Sequence, residues 1–401
     1  MTKKTLILKK REDQRIRGGH PWVYSNEIDS KLTPLKSFTP GEEVVVISHD
    51  KTLLGSAYVN PHALIAARLY SRESKACLNE QYFTQRLQQA LDLRHRLYDQ
   101  PYYRLVFSEA DRLPGLVIDR FNQHLVVQVN TAGMDKHIDA IKTALLAVMP
   151  ETESILLRND GSMRKHEGLE THVTAAHGTP PDVIELIENG VRFKAPILTG
   201  QKTGWFYDHR VNRSRLKDYV RDAQVLDVFS YVGGWGVQAA VFGAAHVDCV
   251  DSSASACEFV TQNAALNQVE DKVTAICEDA FDAMKRITQE KKRYDVIILD
   301  PPAFVKRAKD MKEGLIAYQR LNEMALKLLV PGGVLFSCSC SMQVNMDELT
   351  NVMQRAVAKT QFNIQVLERG HQGPDHPIHI AIPETDYLKS LVVRKCMTQN
   401  D

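Results

Sequence analysis

This 401-residue sequence has no long apolar run, and nothing in it approaches the roughly 18 consecutive apolar residues of a membrane span. The N-terminus also has neither the apolar segment nor the small-residue cleavage site of a secretory signal. Both absences favour a cytoplasmic protein, which is the location that we predict.

Charge of one sign is not in excess either, because the sequence has 50 Lys and Arg residues and 49 Asp and Glu residues. A basic field over the whole protein is therefore excluded, and any nucleic-acid surface must come from a local asymmetry. One asymmetry is visible in the first twenty residues, which hold seven Lys or Arg and two acids. This segment is either a solvated terminus or a contact surface, and composition alone does not decide.

Cysteine is scarce, with seven residues that mostly lie in apolar stretches, such as those around Cys249, Cys277 and Cys338. An odd number in such places suits a reducing compartment and argues against a disulfide framework. No second Cys or His pair has the spacing of a zinc site, and His371 and His376 are too loosely placed to count as ligands. We therefore predict no metal.

The sequence divides into three regions, as expected for a chain longer than the ~100–200 residues of one domain. Residues 1–75 show short β segments with Gly and Pro between them, which predicts a small barrel or half-barrel. Residues 76–186 combine a helical pattern over 80–98 with strand-like runs that turn near Asn122. In residues 187–401, apolar strand-like runs alternate with helical patterns, which predicts a parallel sheet covered by helices on both faces.

A glycine-rich turn, VLDVFSYVGGWG (225–236), follows the first strong strand of the third region and opens a helix. Gly233, Gly234 and Gly236 let the backbone approach a ligand that a Cβ would exclude. In doubly wound sheets the ligand lies beyond the carboxyl ends of the strands. The turn predicts a cofactor site there, although a simple tight turn would look similar.

Acidic residues follow the next two strands at informative places. Asp251 ends the second strand, 24 residues after Asp227, and an acid at about that offset can accept both ribose hydroxyls of a nucleotide. That spacing does not separate NAD from S-adenosylmethionine. Asp279, after the third strand, is placed to accept from an adenine amino group, which favours S-adenosylmethionine; the alternative is a helix N-cap.

Upstream of the turn, GQKTGWFYDHR (200–210) combines polar and aromatic residues before a helix. Asp208 and Arg210 could hold the amino-acid end of the cofactor, with Arg210 bound to its carboxylate by two hydrogen bonds. The alternative is an ordinary helical turn with exposed charge.

The fourth strand ends in Asp300-Pro-Pro-Ala-Phe, where Pro301 and Pro302 stop the strand and stiffen the loop. Asp300 and Phe304 are then held at the carboxyl end of the strand. This element fits an enzyme that acts on a flat base, because the aromatic ring stacks on the base and the polar group holds its edge.

The fifth strand reaches Cys338-Ser-Cys340, and residues two apart share one face of a strand. A strand cysteine is most often a small buried hydrophobic residue. Cys340, however, is expected one strand from Asp300, where a base would lie. A thiolate that adds to carbon-6 of cytosine makes carbon-5 nucleophilic enough to accept a methyl group.

Together these residues resemble the bacterial large-subunit ribosomal RNA cytosine-5 methyltransferases of the YccW/RlmI type, over almost the whole chain. The matching motifs are HPWVYSNEI (20–28), SEADRLPGLVIDRF (108–121), KTGWFYDHR (202–210), DVFSYVGGWG (227–236), DPPAF (300–304), CSCS (338–341) and DHP (375–377).

The resemblance implies an α/β protein with an RNA-binding PUA domain in 1–75, a central mixed α/β domain in 76–186 and a Rossmann-like class I methyltransferase domain in 187–401. It is also compatible with a homodimer. A PUA domain binds RNA, which favours the basic N-terminus as a phosphate-contacting surface. The residues implied for that surface are Lys9, Lys10, Arg11, Arg15 and Arg17.

The resemblance further implies S-adenosylmethionine as the cofactor and Cys340 as the nucleophile, with Asp300 beside it. Pro301, Pro302 and Phe304 would contact the substrate base. The residues implied for the cofactor site are Lys202, Thr203, Asp208, Arg210, Asp227, Phe229, Ser230, Gly233, Gly234, Asp251 and Asp279.

Two departures from the family affect the base-binding loop. Many RNA cytosine-5 methyltransferases have a second cysteine just after the loop proline, used in product release, and DPPAF has none. Relatives often read DPPKF, where this chain has Ala303. Cys338 also stands where relatives commonly have an aromatic residue.

We predict methylation of carbon-5 of one cytosine in 23S ribosomal RNA through a covalent adduct with Cys340. The enzymatic alternative is N-methylation of a guanine or adenine, which uses the same loop and needs no cysteine. The alternative from another class is an RNA-binding or ribosome-assembly factor without catalysis, against which the intact acids Asp251, Asp279 and Asp300 argue.

Overall fold

The computed structural model describes residues 3–396, which form two compact units. The first unit comprises the chain up to Ile184 together with Pro196–Tyr207 and Pro374–Pro383. The second comprises Glu185–Ala195, Asp208–Gly373 and the chain from Glu384 onward. Among the described residues, no helix is both long and apolar enough to cross a membrane.

The first unit begins with a five-stranded sheet in the order β1-β3-β4-β5-β2, which is antiparallel except for the parallel pair β1 and β3. Successive side chains of a strand point to opposite faces of the sheet, and β3 accordingly buries Val44 and Val46 in the core between more exposed neighbours. The predicted β-rich region is thus confirmed. Its elements are β1 (Lys4–Ile7), α1 (Gln14–Arg17), β2 (Trp22–Tyr24), β3 (Glu42–Ile47), β4 (Leu53–Val59) and β5 (Ile65–Ser71).

The same unit contains a second five-stranded sheet in the order β10-β9-β8-β7-β6. The predicted helix is confirmed, and it begins where Asn79 accepts from the Tyr82 amide. The predicted turn at Asn122 joins β7 and β8, and its φ of 57° is left-handed. The elements are α2 (Glu80–Leu97), β6 (Tyr102–Phe107), β7 (Leu116–Phe121), β8 (His124–Val129), α3 (Ala132–Asp135), α4 (Ile138–Val148), β9 (Ser154–Asn159), α5 (Ser162–His166) and β10 (His172–His177).

The second unit is built on a seven-stranded sheet in the order β15-β14-β13-β16-β17-β19-β18. Ahead of it, β11 (Val183–Glu188) pairs with β12 (Val191–Pro196). The remaining elements are α6 (Arg210–Ser214), β13 (Gln224–Val228), α7 (Gly236–Val241), β14 (His246–Asp251), α8 (Ala254–Leu266), β15 (Val273–Cys277), α9 (Ala280–Gln289), β16 (Tyr294–Leu299), α10 (Met311–Leu328), β17 (Leu329–Ser339), α11 (Met346–Thr360), β18 (Ile364–Gly370) and β19 (Lys389–Lys395).

Five strands of this sheet, β13 to β17, are parallel, as the alternating pattern predicts. Leu226 and Val228 on β13 pack in one core with Met284 of α9, Leu321 of α10 and Val352 of α11. Helices α7 and α8 pack against β14 and β15. The α/β class and the doubly wound arrangement are therefore confirmed.

Two details depart from the predicted sheet. The last two strands, β18 and β19, run antiparallel to their neighbours. In addition β17 ends at Ser339, so Cys340 lies beyond the strand and the expectation that it shares a strand face with Cys338 was wrong.

The topology determines where functional side chains gather. The strand order reverses between β13 and β16, and ligands of doubly wound sheets bind beyond the carboxyl ends of the strands at such a switch point. Because β19 is antiparallel to β17, its first residue, Lys389, lies opposite Ser339 at the same edge of the sheet.

Candidate active site

The glycine-rich turn after β13 has a strained backbone. Phe229 and Tyr231 have positive φ values of 68° and 48°, as does Gly233 with 85°. The amides of Phe229 and Ser230 both donate to the carbonyl of Val250, at 2.9 and 3.0 Å, which holds the turn against β14. Left-handed conformations at residues other than glycine persist only where surrounding contacts impose them, and they cluster at ligand sites.

Asp227 lies buried beneath this turn. Its Oδ2 accepts from the Gly236 amide at 2.8 Å, and a Cβ on Gly236 would lie only 2.3 Å from the Sγ of Cys249. The Oδ1 of Asp227 and the Oγ of Ser230 are buried without a hydrogen-bond partner among the described residues. Burial, together with the nearby charges of Asp300 and Asp251, raises the pKa of Asp227 to about 8.

Unsatisfied buried oxygens are rare in folded proteins, and each one invites a ligand or water as the missing partner. A cationic donor group at Asp227 would satisfy Oδ1 and favour the charged carboxylate. The α-ammonium of S-adenosylmethionine is such a group, so the residues present fit that cofactor.

Asp251 and Asp279, the two acids predicted to contact the nucleotide part of the cofactor, both accept hydrogen bonds from backbone amides. Asp251 uses Oδ2 to accept from the Tyr231 amide and Oδ1 to accept from the Ser253 amide, both at 2.9 Å. Asp279 caps α9, with both cap hydrogen bonds, from Phe281 and Asp282, going to Oδ1. The helix-cap alternative is therefore present in the structure, and the contacts of these acids with ribose and adenine stay predictions.

Asp208 and Arg210 are both buried, with 4% and 8% of their surface exposed, so the alternative of exposed charge was wrong. Asp208 accepts from the hydroxyl of Tyr387 at 2.5 Å. The Nε of Arg210 lies 3.7 Å from Oε2 of Glu188, and the Nε of Arg213 lies 2.6 Å from Oε1 of the same carboxylate. Within the protein, Arg210 thus lies beside a carboxylate shared with a second guanidinium, and its contact with a cofactor carboxylate stays a prediction.

Lys202 and Thr203, both predicted at the cofactor, belong to the first unit. Thr203 is buried and donates to Asp119 at 2.5 Å. Lys202 is exposed, and its Nζ lies 4.6 Å from the ring centre of Phe206. Thr203 has a structural hydrogen bond in its own unit, and a cofactor role of either residue stays a prediction.

Asp300 follows β16 and is held by two aromatic donors. The Nε2 of His209 lies 3.1 Å from its Oδ1, and the indole Nε1 of Trp235 donates to its Oδ2 at 2.9 Å. The side-chain amide nitrogen of Asn212 lies 3.3 Å from the other ring nitrogen of His209, Nδ1. Burial alone would raise the pKa of Asp300, but the His209 ring and these hydrogen bonds lower it below its ordinary value.

Cys340 follows β17 and is half-buried, with its Sγ 3.9 Å from the carbonyl oxygen of Pro301. The hydroxyl of Tyr318 on α10 holds both neighbours of the cysteine: it accepts from Ser339 Oγ at 2.9 Å and bonds to Ser341 Oγ at 3.0 Å. The thiol therefore lies at a fixed place beside the loop that carries Asp300.

Within that loop Pro301 is buried, Pro302 is exposed and Phe304 is half-buried. The ring of Phe304 lies 4.8 Å from the ring centre of Tyr318 and 6.3 Å from that of Phe229. Part of its surface is thus used for packing, and contact of the three loop residues with a base stays a prediction.

Cys338 is more deeply buried than Cys340. It is buried, its thiol lies 3.5 Å from Ser390 Oγ, and burial raises its pKa well above the ordinary value. Such a thiol is inert. Although Cys338 Sγ, His209 and Asp300 have atoms within 4.8 Å of one another, hydrogen bonds inside the protein use these atoms, and we identify no metal ligands here.

The basic N-terminal residues divide into two groups. Arg15 pairs with the buried Glu27 at 2.7 Å, and Arg17 pairs with Asp13 at 2.5 Å. Lys9, Lys10 and Arg11 are exposed, and Lys9 donates to the carbonyl of Asn26 at 2.6 Å.

Sequence reasoning missed four residues of this site: His209, Trp235, Tyr318 and Lys389. His209 and Trp235 lie inside motifs that were recognised for other residues. They precede Asp300 by 91 and 65 residues, so no local signal pairs them with that acid. Tyr318 and Lys389 lie in helical and strand patterns without a motif, and only the fold brings them to the edge of the sheet.

Two protein families match the chain. The family described as S-adenosylmethionine-dependent methyltransferase matches residues 163–394, and the PUA-like domain matches residues 6–72. Ribosomal RNA large subunit methyltransferase I of Cronobacter sakazakii is 33% identical over 392 residues, which cover 96% of this chain and 97% of that protein. The protein of the same name from Alteromonas mediterranea is 34% identical over 392 residues, covering 96% and 98%.

Solved structures show the same fold. A putative S-adenosylmethionine-dependent methyltransferase from Streptococcus mutans has a TM-score of 0.82 at 20% identity and covers 98% of this chain and 100% of its own. A putative methyltransferase complexed with SAH has a TM-score of 0.84 at 21% identity, with the same coverage. The chain therefore belongs to the family of S-adenosylmethionine-dependent methyltransferases, together with the relatives named ribosomal RNA large subunit methyltransferase I, and it begins with a PUA-like domain.

Proposed function

We propose that this protein methylates carbon-5 of a cytosine in large-subunit ribosomal RNA, with Cys340 as the nucleophile. The relatives at 33–34% identity are named for large-subunit ribosomal RNA, which supports the substrate class. The observation that carries the chemistry is the half-buried thiol of Cys340, 3.9 Å from the loop of Asp300, at the carboxyl edge of the sheet.

Carbon-5 of cytosine is a poor nucleophile, and a covalent adduct at carbon-6 makes it more reactive. The thiolate of Cys340 forms a bond to carbon-6, and the electron pair of the ring double bond becomes available at carbon-5. Bound S-adenosylmethionine would supply an electrophilic methyl group for carbon-5, with its sulfonium as the leaving group. When a base removes the carbon-5 proton, the ring double bond re-forms and Cys340 leaves as thiolate.

Asp300 is suited to hold the base as an acceptor. Its lowered pKa keeps it ionised at neutral pH, and His209 and Trp235 fix both of its oxygens. An ionised carboxylate can accept from the exocyclic amino group of cytosine and can stabilise a proton on ring nitrogen-3. Asp300 or a water molecule then accepts the carbon-5 proton.

The first unit would select the RNA. We assign phosphate contact to Lys9, Lys10 and Arg11, because these three side chains are exposed, whereas Arg15 and Arg17 have acidic partners within the protein.

The deciding experiment compares Cys340→Ala with Cys338→Ala on ribosomal RNA, with nucleosides analysed by mass spectrometry. We expect Cys340→Ala to lose 5-methylcytidine formation and Cys338→Ala to retain it, since the Cys338 thiol is buried and burial raises its pKa well above the ordinary value. A Cys340→Ala protein that forms 5-methylcytidine at the wild-type rate would contradict the nucleophile assignment.

Two further outcomes would favour the alternatives. A methyl group found on guanine or adenine, with full activity in Cys340→Ala, would establish N-methylation of a purine by the same loop. Calorimetry that detects no binding of S-adenosylmethionine would leave an RNA-binding role without catalysis.

A further inference from the structure

Lys389 is a buried lysine at the edge of the sheet where Cys340 lies. It is the first residue of β19 and lies opposite Ser339, the last residue of β17, so its strand flanks the backbone that leads into Cys340. Only 4% of its surface is exposed. Lysine is almost never fully buried without a partner, so this position needs an explanation.

The ammonium of Lys389 is held by two carbonyl groups. Its Nζ donates to the carbonyl oxygen of Ser341 at 2.7 Å and to that of Tyr387 at 2.6 Å. Ser341 directly follows Cys340, so these hydrogen bonds fix the positive charge one residue from the thiol. Carbonyl groups satisfy the donors of an ammonium but do not neutralise its charge.

Three ionisable groups face Lys389: Cys340, Asp386 and Glu348. Burial lowers the pKa of Lys389, the three negative groups raise it, with Cys340 the largest of them, and the result is about 8. The side chain is therefore mostly protonated at neutral pH and loses its charge in mildly alkaline solution.

Electrostatic coupling between two ionisable groups is mutual. A negative charge on Cys340 makes Lys389 easier to protonate, so by the same interaction energy a positive charge on Lys389 makes Cys340 easier to ionise. Cysteine nucleophiles commonly lie in such electropositive, partly exposed places. Tyr318 and Cys338 also face Cys340, and both are neutral at physiological pH because burial raises their pKa values.

We propose that Lys389 is a positioning residue whose ammonium stabilises the thiolate of Cys340 and so prepares the nucleophile. The proton of the thiol leaves to solvent, and Lys389 keeps its own protons. The catalytic use of that thiolate rests on the proposed function, whereas the ionisation itself is a property of the protein without RNA.

The same strand offers a matched control. Lys395 ends β19, is 7% exposed, and its Nζ donates to the carbonyls of Leu326 at 3.2 Å and Leu329 at 2.9 Å. It lies six residues from Lys389, about 20 Å along the strand. Removing its charge should disturb β19 to a similar extent without acting on Cys340.

The test measures the rate of alkylation of Cys340 by iodoacetamide against pH in the full chain, with the modified residue located by tandem mass spectrometry. In Lys389→Met we expect the midpoint of the rate profile to rise by about one pH unit or more, and the rate at pH 7 to fall about tenfold. Lys395→Met should keep the wild-type midpoint, and Lys389→Arg, which keeps the charge, should restore it.

An unchanged midpoint in Lys389→Met would overturn the proposal, and so would an equal shift in Lys389→Met and Lys395→Met. If Lys389→Met does not fold, Lys389→Gln decides by the same criteria, because its amide keeps a donor for the carbonyls while losing the charge. The readout needs no RNA. A shifted midpoint in an enzyme whose Cys340→Ala variant still forms 5-methylcytidine would therefore refute the proposed function and leave this inference standing.

Discussion

Replacing Asp227 by asparagine should stabilise the protein without cofactor at neutral pH while weakening its binding of S-adenosylmethionine. The carboxyl is buried, one oxygen has no partner among the described residues, and burial raises its pKa to about 8 from an ordinary 3.8. A raised pKa means that the proton binds more tightly in the folded state than in the unfolded one. The contribution of Asp227 to the free energy of unfolding is therefore fully present below about pH 4 and is lost as the pH rises to about 8.

The magnitude follows from that difference. At pH 7 the folded wild type must hold a proton at Asp227 that the unfolded chain releases. This requirement lowers the free energy of unfolding by at most about 4 kcal/mol, compared with a side chain that needs no proton. Asparagine leaves an amide donor without a partner, which costs about 1–3 kcal/mol. The net gain for Asp227→Asn is about 1–3 kcal/mol at pH 7, or a few degrees in Tm, and close to zero at pH 5.

Scanning calorimetry at pH 5, 6, 7 and 8 measures the effect, with Asp248→Asn as the control. Asp248 lies opposite Leu226 on the neighbouring strand. Burial alone would raise the pKa of Asp248, but Lys292, Tyr294 and His246 lower it, so its asparagine variant should be less stable at neutral pH and recover only in acid. An Asp227→Asn protein that is less stable than wild type at pH 8, or whose Tm difference is constant with pH, would refute the reasoning.

The same carboxyl should report on cofactor binding. A cationic amino group placed at Asp227 favours the charged carboxylate, so binding at pH 7 should release about 0.9 of a proton from the group, given a pKa of about 8. Calorimetric titration in two buffers with different ionisation enthalpies gives this number. Equal proton release from Asp227→Asn would show that the proton comes from another group.

Two further predictions concern the base and the RNA. His209→Ala should lower the single-turnover methylation rate about ten- to a hundredfold with little change in S-adenosylmethionine affinity, because one hydrogen bond to a charged carboxylate is lost; an unchanged rate would exclude its role in holding Asp300. Replacing Lys9, Lys10 and Arg11 together by alanine should weaken the salt dependence of rRNA binding. We expect the slope of the logarithm of the binding constant against the logarithm of the salt concentration to become less steep by up to about 2.7. Arg15→Ala should leave that slope unchanged and lower Tm instead, because Arg15 pairs with a buried carboxylate.

Local patterns predicted the parts of the fold that local physics determines. The five parallel strands follow from alternating apolar and helical segments. Asp251, Asp279 and Asp300 stand at or just after the ends of β14, β15 and β16, because the end of a strand is visible in the sequence. The antiparallel pair β18 and β19 was missed, because its position at the edge of the sheet depends on contacts between residues far apart in sequence, and these contacts leave no local pattern. Lys389 is 50 residues from Ser339 in sequence, yet it lies opposite that residue, so only the strand order reveals it.

Side-chain partners were the other limit of sequence reasoning. Arg15 looks equivalent to Lys9 and Lys10 in the sequence, but its acidic partner Glu27 lies twelve residues away and is visible only in the folded unit. In the same way, the sequence placed Asp227 and Asp300 in one site without distinguishing their ionisation.

That distinction explains how one edge of a sheet can bind a cation and hold a base. Asp227 is the last residue but one of β13 and Asp300 directly follows the neighbouring strand β16, yet their pKa values move in opposite directions. Two aromatic donors keep Asp300 ionised, while Asp227 has one backbone donor and is neutral until a cationic ligand arrives. Because neighbouring titratable groups with separated pKa values generally have separate tasks, we assign the cofactor's amino group to Asp227 and the base to Asp300. Arrival of the cofactor would then restore a negative charge at Asp227 while that of Asp300 stays available to the base.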